Sequence, residues 1–82
     1  MKGKNGDVYR VIPDFVGALF VYLYQYFEAG GPSRDGVGVD RQMELGDLVI
    51  RIRKYRNEFY VLHPAYGFGW VVNDSVELAQ EQ

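Results

Sequence analysis

The chain has 82 residues, a net charge of −2 and no cysteine. The missing cysteines exclude disulfides, thiol catalysis and the common zinc sites, and the charge argues against a dedicated nucleic-acid binder, whose affinity comes mainly from neutralising phosphates. A chain this short buries only about 60–65% of its unfolded surface, so a single core must be used efficiently. Seven tyrosines supply amphipathic rings that suit a sheet rim or a contact surface.

Met1 to Gly6 reads as a short glycine-containing lead. Lys2 and Lys4 are followed by Asp7, Arg10 and Asp14 and not by an apolar stretch, so no secretory signal is expected. A reducing, cytoplasmic setting fits the absence of cysteine. In Asp7 to Ile12 (DVYRVI), Val8, Arg10 and Ile12 alternate with Tyr9 and Val11, which predicts an extra strand that Pro13, lacking an N–H, brings to an end. This strand could pair with a second copy at a sheet edge, giving a homodimer.

Phe15 to Phe27 admits two readings. As a helix it has Asp14 as N-cap and Gly30 as its stop; as a strand it has the excess of Tyr, Phe and Val that sheets favour. It is too short and too interrupted to span a bilayer, so no membrane partner is expected. Gly30 to Gly38 (GGPSRDGVG) is a loop by composition. Val39 to Glu44 returns as a short strand toward residues 22–28, with Met43 inward.

In the stretch after Gly46-Asp47, Leu48, Ile50 and Ile52 alternate with Val49, Arg51 and Arg53, a strand whose pattern turns the first set to the core. Tyr55 to Asn57 forms a reversal in which Asn57 can take left-handed backbone. Glu58 to His63 is the next strand, Pro64 to Gly67 the next reversal, and Phe68 to Val72 the third strand. Asn73 to Ser75 makes one more turn before Val76 to Leu78, and Ala79 to Gln82 is a polar tail.

Gly46-Asp47, the alternating strand, the Phe59-Tyr60 pair, Gly69-Trp70-Val71, a short turn and Val76-Glu77-Leu78 together resemble the last four strands of a Src-homology-3-type (SH3-like) barrel. Tyr22 to Ala29 is similar to that family's first-strand Ala-Leu-Tyr-Asp-Tyr segment, and Gly-Trp-Val is also what the bacterial branch shows. The resemblance implies an all-β chain: a five- to six-stranded barrel over residues 19–79 with a long first loop, an N-terminal extension strand within 1–18 and a tail at 80–82. It favours the strand reading for residues 19–27. Strict family spacing would point Val49 and Arg51 inward; the hydrophobic pattern points Leu48, Ile50 and Ile52 inward, and a buried unpaired Arg would cost several kcal/mol.

Chemistry for catalysis is sparse. His63 is the single histidine, expected as a partly exposed turn residue packed on a neighbour. No carboxylate pair has a spacing that forces convergence, Asp35 and Asp40 lack the ligand alternation of a calcium loop, and Gly36-Val37-Gly38 has no following Lys-Ser to cradle a phosphate. No enzyme activity, cofactor or metal is expected. Two surfaces remain. In the family resembled, a peptide groove uses ring positions that map to Tyr24, Tyr26 and Phe59, while Val72 and Ser75 stand where its Pro and last Tyr would be; polyproline recognition, which needs aromatic slots, is thereby weakened. Trp70 and Tyr66 would add rings, and Asp35, Asp40 and Glu44 would meet basic side chains of a protein or peptide partner. The alternative is a nucleic-acid or ribosome-associated module using Arg51, Arg53, Lys54 and Arg56, with Tyr55 interleaved. A small accessory protein of a phage or mobile element is a further reading from size alone.

Overall fold

A computed structural model describes residues 3–26 and 38–79. These residues form one antiparallel sheet of seven strands: β1 Val8–Val11, β2 Phe20–Tyr26, β3 Gly38–Glu44, β4 Leu48–Tyr55, β5 Glu58–His63, β6 Gly67–Val72 and β7 Val76–Leu78. A single 3₁₀ turn, Asn73–Ser75, links the last two. The spatial order is β3-β2-β6-β5-β4-β1-β7, and the ladder does not close. The all-β expectation therefore holds for the described residues. No helix among them is long and apolar enough to cross a membrane.

Alternation explains β2 and settles the competing readings of its region. Val21 and Leu23 are buried while Phe20 and Tyr22 face out, a period of two that a helix would scatter around its circumference. The preceding Phe15–Leu19 stretch is neither helix nor strand. β3 returns along β2 in unbroken register from Phe20 opposite Glu44 to Tyr26 opposite Gly38, with Met43 inward as anticipated. The long loop expected at Gly30 to Gly38, and Asp35 with it, lies almost wholly outside the described residues.

Every strand contributes to one core. Tyr9 and Val11 come from β1, Val21 and Leu23 from β2, Met43 from β3, Val49 from β4, Phe59 and Val61 from β5, Val71 from β6 and Val76 from β7. No second layer exists among the described residues to cover this face, so the sheet must curve over itself to bury it. That curvature brings β6 close to β2: a Cβ on Gly69 would sit 2.6 Å from Leu23 Cγ, and glycine is what lets the two backbones approach.

Three expectations need correction. The sequence pattern put Leu48, Ile50 and Ile52 inside, but these are 49%, 39% and 38% exposed and Val49 is 1% exposed. Val49 pairs with Tyr9 across the β1–β4 ladder, and Ile50 pairs with Val8 and Leu62 on the opposite face. The energetic argument failed because Arg51 is not unpaired. Its Nε donates to Asn5 Oδ1 (3.0 Å), its Nη1 donates to the Gly3 carbonyl (3.0 Å) and the Tyr9 hydroxyl (3.1 Å), and its guanidinium lies 4.5 Å from the Phe59 ring centroid. A register shift between Arg51 and Arg53 then re-aims the rest of β4, as a β-bulge does.

The second correction concerns β1, expected as an extension with a free edge. It lies between β4 and β7 and pairs with both, so it offers no edge to a second copy. The third is the β4–β5 reversal, where Arg56, and not Asn57, takes the left-handed conformation (φ 55°).

Candidate functional site

With the core complete on one face, the other face carries a second set of rings. Along β2, Phe20, Tyr22 and Tyr24 point outward at alternate positions, with centroid separations of 5.2 Å and 6.2 Å. Tyr24 stands opposite Trp70 on β6 and Asp40 on β3. Trp70 continues the row to Tyr60 (4.9 Å), and Tyr60 stacks on Phe68 at 5.6 Å with 12° between the planes. Arg53 caps this cluster, 5.3 Å from the Trp70 centroid and 5.9 Å from that of Tyr60.

At the β2 end of the face the chain entering from β1 builds a wall. Ser75 Oγ donates to Asp14 Oδ2 (3.1 Å) and the Ile12 N–H donates to the Ser75 carbonyl (2.9 Å), which fastens the start of the turn to the 3₁₀ element. Between this wall and β2 lies a pocket of about 360 Å³, walled by Phe15, Ala18 and Leu19 on one side and Tyr22, Tyr24 and Val72 on the other. Asp14 and Ser75 form its polar end. Such a recess, apolar with few polar groups, is what a small side chain or ligand fragment fits.

The residues singled out from sequence are distributed unevenly over this geometry. Tyr24 lines the pocket, and Val72 and Ser75, flagged as departures from a peptide groove, do so too. Asp40 and Glu44 are exposed on β3, opposite Tyr24 and Phe20. Tyr26 closes β2 opposite Gly38, and its side chain lies outside the described residues. Phe59 belongs elsewhere: it is a core ring, 8% exposed and 5.2 Å from Tyr9. Trp70 lies on the aromatic face but is only 2% exposed, so it underlies the surface without presenting an open patch.

Tyr66 serves a separate cluster. Its ring stacks on His63 at 4.7 Å, and its hydroxyl donates to the Gln42 carbonyl (3.2 Å). His63, expected at a partly exposed turn, is in fact 4% exposed. Its Nδ1 accepts the N–H groups of Ala65 (3.0 Å) and Tyr66 (3.3 Å), which leaves Nε2 to donate to Asp47 Oδ2 at 2.7 Å. The same carboxylate oxygen accepts the Glu44 N–H (3.1 Å). Both imidazole nitrogens are thus engaged in tying the β3–β4 and β5–β6 turns together.

The basic strip does not form one surface. Arg51 is held at the core's end, Arg53 lies on the aromatic face, and Arg56 sits in the turn 5.4 Å over Tyr55. Lys54 pairs with Phe59, on the other side of β4 from Arg53. Phe15, Leu19, Phe20 and Tyr22 were not singled out as site residues from sequence. The available signal was Gly17, which interrupts the apolar run two residues after Phe15 and marks a turn. Comparison of the chain with models of known families, with curated proteins and with solved structures yields no match.

Proposed function

We propose that the chain is a non-catalytic, SH3-like protein-interaction module that docks a peptide or folded protein partner on the aromatic face of its sheet. One observation carries the reading. The core is assembled from the inner face, yet Phe20, Tyr22 and the pocket beside Tyr24 form a second, contiguous apolar surface open to solvent. Surfaces of that kind, ringed by polar groups, mark association sites. Asp40 and Glu44 stand on the neighbouring strand, where they would meet basic side chains of the partner. The run of strands β4 to β6, the 3₁₀ turn and β7 supports the SH3-like assignment.

The nucleic-acid alternative draws less support, because a phosphate-tracking surface needs its cations side by side and Arg51 already serves Gly3, Asn5 and Tyr9. Titration of isotope-labelled protein with a peptide library tests the proposal. Shifts should concentrate at Tyr22, Tyr24, Val72 and Ser75, and Tyr22→Ala should weaken the best ligand about tenfold or more, as aromatic anchors at interfaces do. No shift at these positions with any ligand, or salt-sensitive shifts around Arg53 and Arg56 with mixed oligonucleotides, would overturn it.

A further inference from the structure

The turn beside the pocket holds apolar side chains in water by design of its backbone. The Ala18 N–H donates to the Phe15 carbonyl (3.1 Å), closing a four-residue turn with Val16 and Gly17 at its centre. Gly17 has φ +91°, the value that the second central position of a type II turn requires. The turn is anchored at one end by the Asp14–Ser75 hydrogen bond and at the other by Ala18, which is 7% exposed. Nevertheless Phe15, Val16 and Leu19 are 67%, 101% and 82% exposed. A projection with Val16 at its apex therefore stands directly beside a recess on the same face.

We propose that a second copy of this chain occupies the pocket, in a two-fold dimer where Val16 of each copy enters the recess of the other and Phe15 and Leu19 pack against their mates. The inference rests on the reading of this face as a protein-docking surface and names the partner. Symmetry favours it: a projection and a recess on one face are satisfied together within two copies by a two-fold axis, whereas head-to-tail insertion must close a larger ring or extend without end. A peptide lying in the groove would fill the recess and leave Val16 in water.

Area and charge agree. Phe15, Val16, Leu19, Phe20 and Tyr22 together expose on the order of 500 Å² per copy, most of what a standard interface of about 800 Å² per partner requires. No Lys or Arg lines the pocket, and its carboxylate, Asp14, already accepts the Ser75 hydroxyl. The patch thus offers nothing to an anionic partner such as nucleic acid or an anionic membrane.

Sedimentation equilibrium across a roughly thousand-fold dilution range tests the dimer, because its population must follow protein concentration. The wild type should approach twice 9.4 kDa at the top of the range and fall toward the single-chain mass on dilution. Val16→Asp and Leu19→Asp, both at fully or largely exposed positions, should remain monomeric throughout with unchanged circular dichroism. Leu48→Ser, 49% exposed on β4 and outside the pocket lining, should dimerise as the wild type does. A wild type that is monomeric at every concentration, or a dimer that survives Val16→Asp, overturns the proposal. Titrating Val16→Asp with the peptide library separates the two readings: shifts at Tyr22 and Tyr24 alongside a monomeric wild type remove the second copy and leave the docking surface, and silence in both experiments removes both.

Discussion

Arg51 shows how one side chain decides the packing of a whole strand. Its guanidinium lies over the Phe59 ring and meets two hydrogen-bond acceptors and a hydroxyl drawn from residues 3–9, so β4 can turn Val49 inward without leaving a charge stranded. Truncation removes both the ring contact and the bonds. Arg51→Ala should destabilise the chain by about 2–3 kcal/mol, the range for lost hydrogen bonds to a charged group, whereas Arg53→Ala, which loses a ring contact on an exposed face, should cost about 0.5–1 kcal/mol. Arg51→Met should recover part of the loss by restoring a ring contact. Urea denaturation of the three variants measures the order, and an equal effect of Arg51→Ala and Arg53→Ala would contradict this account. The same residue explains why β4 was legible as a strand and illegible in its facing. Periodicity counts apolar positions, and Leu48, Ile50 and Ile52 outnumber Val49 in that count; the deciding partners, Tyr9 and the carbonyl of Gly3, lie some forty positions away in the sequence.

Between elements, β6 approaches β2 tightly at Gly69. Gly69 fills no space because Leu23 fills it, with Cγ and Cδ1 at 2.6 Å and 2.8 Å from where a Cβ would stand. Gly69→Ala should therefore cost about 1–3 kcal/mol by overpacking. In a Leu23→Ala background, where the obstructing atoms are gone, the same substitution should cost far less, giving a favourable coupling in a double-mutant cycle. Additive effects, measured by thermal or urea unfolding of the four proteins, would show that the glycine serves backbone conformation and not proximity. Turn chemistry made these elements readable in advance: β5 and β7 fall where Glu58 to His63 and Val76 to Leu78 were expected, bounded by Pro64, Gly67 and the Asn73-Asp74-Ser75 cluster. The pocket was not readable in the same way. Tyr24, Val72 and Ser75 were noted for their positions, but the opposite wall comes from Phe15–Leu19, a stretch that helix and strand propensities both claimed and that a hydrogen-bonded turn took instead.

On the scale of the molecule, the sheet order makes the N-terminal strand indispensable. A barrel confined to residues 19–79 would be complete without β1, and the first eighteen residues could be removed at little cost. In the sheet as it stands, β1 alone connects β7 to β4, and Tyr9 and Val11 supply two of the ten buried side chains in the core cluster. Removing it would strip β7 of its strand neighbour and expose Val49 and Val76. A chain cut back to Leu19 would also lose all three hydrogen-bond partners that keep Arg51 from being a stranded charge, the Gly3 carbonyl, Asn5 Oδ1 and the Tyr9 hydroxyl. Small domains have about 5–15 kcal/mol of stability to lose, and the loss of two buried side chains with two strand ladders is of that size. A chain beginning at Leu19 should show no cooperative unfolding transition and should bind dyes that report exposed apolar surface, while a chain beginning at Gly3 should unfold as the full chain does. If the shorter chain retained a sharp transition within about 1 kcal/mol of the parent, the core would have to be closed by β2 to β6 alone, and the pairing of β1 with β4 and β7 would be ornament on a smaller barrel.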